Sequence, residues 1–155
     1  MKNYVKLGLS SLMAISLVAC SPGNKEDSAK KKENVKVTYK EGTYTGTGTG
    51  YNGPINLTVT FTKDGISEID YSDNKETNHI GTPAFDYLVA DAKEANGAGI
   101  DVISGATFTS IGFKNALIDA AKQAEASDLD GFKKNTVEHT AGEAIEKTAD
   151  VVVVG

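Results

Sequence analysis

The stretch Asp101-Val102-Ile103-Ser104-Gly105-Ala106-Thr107-Phe108-Thr109-Ser110 gathers hydroxyls and small side chains just ahead of a helical pattern. Thr107 closes the small-residue run. At such a position the free amides and the positive dipole end of the following helix favour an anion, by roughly 0.3–1 kcal/mol at an exposed site. Gly105 and Ala106 leave space beside its hydroxyl. Two readings fit the pattern alone: a phosphate held at Thr107, or a plain helix cap made of Ser and Thr. A hydrolytic role for Thr107 would need a base and an orienting group within hydrogen-bond reach. The only histidines, His79 and His139, lie in no recognisable partner motif, which argues against that chemistry.

The elements around this loop follow from periodicity. Ile55 to Thr62 alternates apolar and polar without a fault, a strand that buries Ile55, Leu57, Val59 and Phe61. Lys63-Asp64-Gly65 predicts a hairpin turn, and Ile66 to Tyr71 the returning strand. Thr43 to Tyr51 predicts a strand ahead of the turn Asn52-Gly53-Pro54. Gly46, Gly48 and Gly50 do not form a phosphate loop, because a turn and a strand follow where a helix would be required. They predict a flat strand face on which another element packs closely. Thr82-Pro83 predicts a helix start with Thr82 as N-cap, Phe85, Leu88, Val89 and Ala92 its inner face, and Asn96-Gly97 its end. A second helix is expected from about Ser110 to Glu125, with Phe113, Leu117, Ala120, Ala121 and Ala124 inward. The expected fold class is α+β: a small antiparallel meander sheet with two helices on one face.

Composition narrows the chemistry. The net charge is −5, and all 16 basic residues are lysines. That argues against nucleic-acid binding and removes any bidentate guanidinium grip on phosphate or dicarboxylate. The first 20 residues predict a signal peptide: Lys2 and Lys6, an apolar run from Leu7 to Val18, then Leu17-Val18-Ala19-Cys20 in the form of a bacterial lipobox. Cys20 is the only cysteine, so no disulfide or cysteine-built metal site is expected. Acylation at Cys20 adds about 0.8 kcal/mol per buried methylene and would hold the protein on the extracytoplasmic face of a bacterial membrane. Residues 21–34 then read as a flexible tether, and 35–126 as one small domain.

Asp101-x-x-Ser104-Gly105-Ala106-Thr107 resembles the flavinylation motif of the FMN-binding domain family, which includes the C subunit of the sodium-pumping NADH:quinone oxidoreductase and the G subunit of the Rnf complex. The likeness extends over Tyr44-Thr45-Gly46, the hairpin and Thr107-Phe108-Thr109-Ser110, most of residues 42–125. It implies FMN joined to Thr107 by a phosphoester bond, which a separate Mg-dependent flavin transferase makes from FAD. It also implies that Asp101, Ser104, Gly105, Ala106, Thr109 and Ser110 belong to the cofactor site. Glu76-Thr77-Asn78-His79-Ile80-Gly81 resembles the family's Glu-Thr-Pro-Gly-Ile-Gly loop beside the isoalloxazine, which adds Glu76, Thr77 and Gly81. Asn78-His79 stands where that pattern has Pro-Gly, and His79 has two readings: a group that tunes the flavin or, more commonly for a lone loop histidine, a solvated side chain.

Residues 127–149 read as a linker with helical stretches. The run Val151-Val152-Val153-Val154-Gly155 is similar to the entry into an FAD-binding Rossmann domain of secreted fumarate-reductase-like flavoproteins, such as urocanate and methacrylate reductases, with Val151–Val154 as its first strand and residues 150–155 expected to be the beginning of a truncated FAD-binding domain. The function expected is that of a lipid-anchored electron carrier. A membrane donor reduces FMN on Thr107, and the electrons pass to an FAD-dependent reductase for an unsaturated acid. The alternative is a flavin-free envelope lipoprotein that binds a ligand or partner.

Overall fold

The computed structural model describes residues 33–139. The signal segment with Cys20, almost all of the tether and the Val151–Val154 strand lie outside the described residues. Six elements follow in order: β1 Gly42–Thr49, β2 Pro54–Thr62, β3 Gly65–Asp70, α1 Gly81–Ala95, α2 Thr107–Gln123 and the single turn α3 Leu129–Phe132. The strands form one antiparallel sheet in the order β1-β2-β3. The α+β meander with helices on one face is therefore what the chain folds into.

The alternation along β2 does what it predicts: Ile55, Leu57, Val59 and Phe61 are buried while the residues between them are not. Each fully buried side chain of this size contributes roughly 1.5–3 kcal/mol. The register brings Gly46 opposite Leu57 and Gly48 opposite Ile55, so the two glycines share the inner face with the apolar residues. There α2 lies directly on the strand. A Cβ at Gly46 would fall on the Ala116 carbonyl oxygen, and one at Gly48 on the Gly112 carbonyl oxygen. Phe113, Leu117, Ala120 and Ala121 of α2 are fully buried, as are Phe85, Leu88 and Ala92 of α1. Contacts run from α2 to β1 and β2, and from α1 to β3 and α2.

Three expectations need correction. Thr82 is not the side-chain cap of α1. The helix begins two residues earlier than expected, at Gly81 with Ile80 as N-cap, and the amides of Ile80, Gly81 and Thr82 converge on the Thr77 carbonyl at 3.3, 2.9 and 3.2 Å. The second helix begins at Thr107 rather than Ser110, so Thr107 is its first residue and not part of the preceding loop. Finally, the segment expected to open a linker packs into the domain. Phe132 is fully buried, and Asn135, also buried, exchanges hydrogen bonds of 2.9 Å with the Val35 amide and carbonyl, closing the start of the domain against its end.

The close approach of α2 to β1 predicts a large effect from a single methyl. Gly46→Ala forces the helix off the strand, and overpacking of this kind costs roughly 1–3 kcal/mol, occasionally more. Urea unfolding should show a loss in that range; stability equal to wild type would contradict the direct backbone seating.

Candidate functional site

The loop that leads to Thr107 is fixed at several points. At its entrance the Ala98 amide donates to the Phe132 carbonyl at 2.8 Å and the Gly99 amide to the Asn135 carbonyl at 2.9 Å. Lys114 reaches from α2 and donates through Nζ to the Ile100 carbonyl at 2.6 Å. The turn that follows is closed by the Ala106 amide on the Ile103 carbonyl at 2.9 Å. Gly105 takes φ 83°, a left-handed conformation that suits glycine. Ser110 lies beneath: its Oγ accepts from the Ile103 amide at 3.0 Å and donates to the Ala106 carbonyl at 2.9 Å. Thr107 emerges exposed at the head of α2, which has no side-chain cap. The first amides of a helix have no intrahelical partner, so donors are free beside its hydroxyl.

Thr107 opens onto a cleft of about 480 Å³ lined by residues from three places: Tyr51 after β1, Glu76, Thr77, Ile80 and Gly81 at the entry into α1, and Gly105 to Thr109 at the start of α2. Glu76 ties the three together. Although only 7% exposed, it accepts through Oε1 from the Tyr51 amide at 2.8 Å and the Asn52 amide at 3.3 Å. Its Oε2 accepts from the Thr109 hydroxyl at 2.7 Å. A Cβ at Gly50 would collide with Oε1, and one at Gly81 would come within 2.9 Å of Oε2. The two glycines thus leave the room the carboxylate occupies. Tyr51, Ile80 and Phe108 form an exposed apolar rim, and the rings of Tyr51 and Phe108 lie 6.3 Å apart.

Of the residues expected at the site, Glu76, Thr77, Gly81, Gly105, Ala106, Thr107 and Thr109 line this cleft. Asp101 and Ser104 are exposed on the loop outside the lining, and Ser110 is buried under it. The hydroxyls of Thr109 and Ser110 and the carboxylate of Glu76 are spent on protein partners, so they shape the cleft. His79 is exposed outside the lining with φ 71°. It keeps a left-handed conformation at the position where the Glu-Thr-Pro-Gly-Ile-Gly pattern has glycine. His139 pairs with Asp91 at 2.9 Å, and that hydrogen bond and the nearby acid raise its pKa. Tyr51, Ile80 and Phe108 were not among the expected site residues; their signal is large apolar side chains left exposed together at one cleft.

The carboxylate clasp sets a prediction. Glu76→Ala leaves two amides and a hydroxyl without their acceptor, and hydrogen bonds to a charged group are worth about 1.5–3 kcal/mol each, non-additively. A loss of roughly 3 kcal/mol is expected. Glu76→Gln, which keeps an acceptor oxygen for the amides, should lose clearly less. Thermal or urea unfolding checks both, and an undiminished Glu76→Ala protein would remove Glu76 from this role.

The sequence has counterparts among known proteins. Residues 50–122 match the FMN-binding domain model, a span that holds the whole cleft. The chain is 36% identical over 138 residues to the NADH:acrylate oxidoreductase of Vibrio harveyi, covering 84% of this chain and 13% of that protein. It is 25% identical over 158 residues to the urocanate reductase of Eggerthella lenta, covering 99% of this chain and 25% of that protein. The chain thus spans a quarter or less of the length of these relatives. A loop that presents a threonine at a helix start and an apolar-rimmed cleft beside it are what the matched segment contains, and residues 50–122 belong to the FMN-binding domain family, with a role in flavin-linked electron transfer.

Proposed function

We propose that Thr107 carries FMN through a phosphoester bond and that the domain relays electrons through it on the outer face of a bacterial membrane. One observation carries the covalent reading: the cleft opens on the Thr107 hydroxyl, yet among the described residues no cationic side chain lines it. A doubly charged phosphate monoester held without a bond would rely on helix amides and the dipole alone, worth at most about 2 kcal/mol in partly buried geometry. The chain has no arginine to supply a bidentate clamp. A bond at Thr107 removes the need for one.

The attachment balances as a simple transfer. Thr107 Oγ1 attacks the FMN-side phosphorus of FAD, an oxygen–phosphorus bond forms, the pyrophosphate bond breaks and AMP leaves. The hydroxyl proton passes to a base of the Mg-dependent transferase or to water, and no electrons change hands. The amides at the head of α2 would hold the phosphodiester. Tyr51, Ile80 and Phe108 offer the apolar surface that a planar ring requires, and a cleft of about 480 Å³ is in the range of cofactor sites. Glu76 keeps those walls in register. When bound, FMN supplies electron transfer; the protein supplies position and shielding from water.

Further parts of the proposal concern the longer setting. Acylation of Cys20 anchors the protein, a membrane donor delivers electrons, and the acceptor is an FAD-dependent reductase unit for an unsaturated acid. The names of the relatives support the last point, since acrylate and urocanate are both unsaturated acids.

The decisive variant is Thr107→Ala. Thr107 is exposed, so the fold should change by no more than about 0.5 kcal/mol. Co-expressed with a flavin transferase in an export-competent host, the wild type should show flavin fluorescence on a denaturing gel and Thr107→Ala none. Fluorescence that persists in the variant would refute attachment at Thr107.

A further inference from the structure

We infer that Ser110 and Lys114 form a brace that holds the loop before Thr107 in one shape, so that the flavin transferase meets a preformed surface. The inference rests on the reading of Thr107 as the attachment point and specifies how that point is presented.

The two side chains lie one helical turn apart, which puts them on the same face of α2. Between them they grip three of the loop's backbone residues. Lys114 Nζ holds the Ile100 carbonyl at 2.6 Å, at the loop's entrance. Ser110 Oγ bridges the two ends of the turn, taking the Ile103 amide at 3.0 Å and giving to the Ala106 carbonyl at 2.9 Å. Ser110 is fully buried and both functions of its hydroxyl are used, so it makes no contact in the cleft. Beyond the backbone bonds at its entrance and the Ala106–Ile103 bond that closes its turn, the loop has few buried side chains to hold it. Of residues 101–106 only Ala106 is buried and Ile103 half-buried, while Asp101, Val102, Ser104 and Gly105 are exposed. A glycine-bearing loop with so few apolar anchors would otherwise sample many shapes. With the brace in place, Asp101, Ser104 and Thr107 are displayed together on the outside, ready to be read as a unit.

A brace of this kind has a kinetic signature. If the competent loop shape becomes a minor state, apparent affinity falls by the fraction that remains competent, while turnover of the bound complex is preserved. The test uses the full chain with purified flavin transferase, FAD and Mg²⁺, and follows adduct formation by mass. Ser110→Ala and Lys114→Met are compared with wild type and with Val59→Ala, a core deletion outside the loop. Each braced-loop variant should raise KM for the protein substrate about tenfold with kcat within about twofold. The Ile103 amide should lose hydrogen-exchange protection by a comparable factor in Ser110→Ala. Val59→Ala should lower the melting temperature and leave KM unchanged at temperatures where it is folded. Should Ser110→Ala fail to fold, Lys114→Met carries the test alone, because it removes a contact at the loop's entrance and keeps the side-chain stem. Wild-type KM in the folded variants overturns the brace while leaving Thr107 as the attachment point. A KM that tracks melting temperature across all three variants, Val59→Ala included, also overturns it. A wild type that takes no flavin overturns the Thr107 reading and the brace with it.

Discussion

The backbone of α2 rests on the backbone of β1, and the position of everything at the site follows from that contact. Gly46 and Gly48 leave no side chain between strand and helix, and Gly112 does the same from the helix side, where a Cβ would come within 2.7 Å of the Thr49 carbonyl. The seating fixes how far the head of α2 projects past the end of β1. Thr107 therefore stands beside the Tyr51–Asn52 turn, where β1 hands over to β2, and not above the middle of the sheet. Glu76 then locks the arrangement with one carboxylate that serves the turn on one oxygen and α2 on the other. A helix held at a larger distance would leave that carboxylate buried without its hydroxyl partner, a costly state in a low-dielectric interior.

The electrostatics of the cleft explain why a cofactor would be bonded there and not merely bound. The protein is acidic, its basic residues are all lysines, and among the described residues none lines the cleft. What the cleft offers an anion is the amide end of a helix. What it offers a ring is the apolar rim of Tyr51, Ile80 and Phe108. Shape and apolar surface are supplied by residues from three separated segments, whereas the phosphate is met by a single helix start. That asymmetry fits a cofactor tethered at its phosphate end and steered at its ring end.

Much of this was legible in the sequence, for identifiable reasons. The faultless alternation of β2 fixes which face is buried, and Asp64-Gly65 supplies the turn that folds β3 back onto it. Gly46 and Gly48 of β1 announce a close approach because strand interiors otherwise avoid glycine. Residues 101–107 were recognisable as a motif, although its helix begins at Thr107 rather than three residues later. The small residues of the first turn carry no periodic apolar signal, so the pattern reveals the helix only from Phe113 onward. The N-cap of α1 was misplaced because Thr82 has the right chemistry, whereas the capping group is the Thr77 carbonyl, which sequence does not distinguish. Phe132 and Asn135 escaped because sparse apolar positions in a polar stretch look like linker until a buried asparagine is seen to close the domain's ends. Tyr51 and Ile80 escaped because single exposed apolar residues are common and become meaningful only when the fold brings them to one cleft.

A flavin on Thr107 should lie in the cleft bounded by Tyr51, Ile80 and Phe108. Nuclear Overhauser contacts between the isoalloxazine protons and protein side chains, recorded on the flavinylated protein, test this most directly. The account predicts cross-peaks to the Ile80 methyls and to the rings of Tyr51 and Phe108. A flavin that shows none of these contacts and tumbles independently of the protein would contradict it.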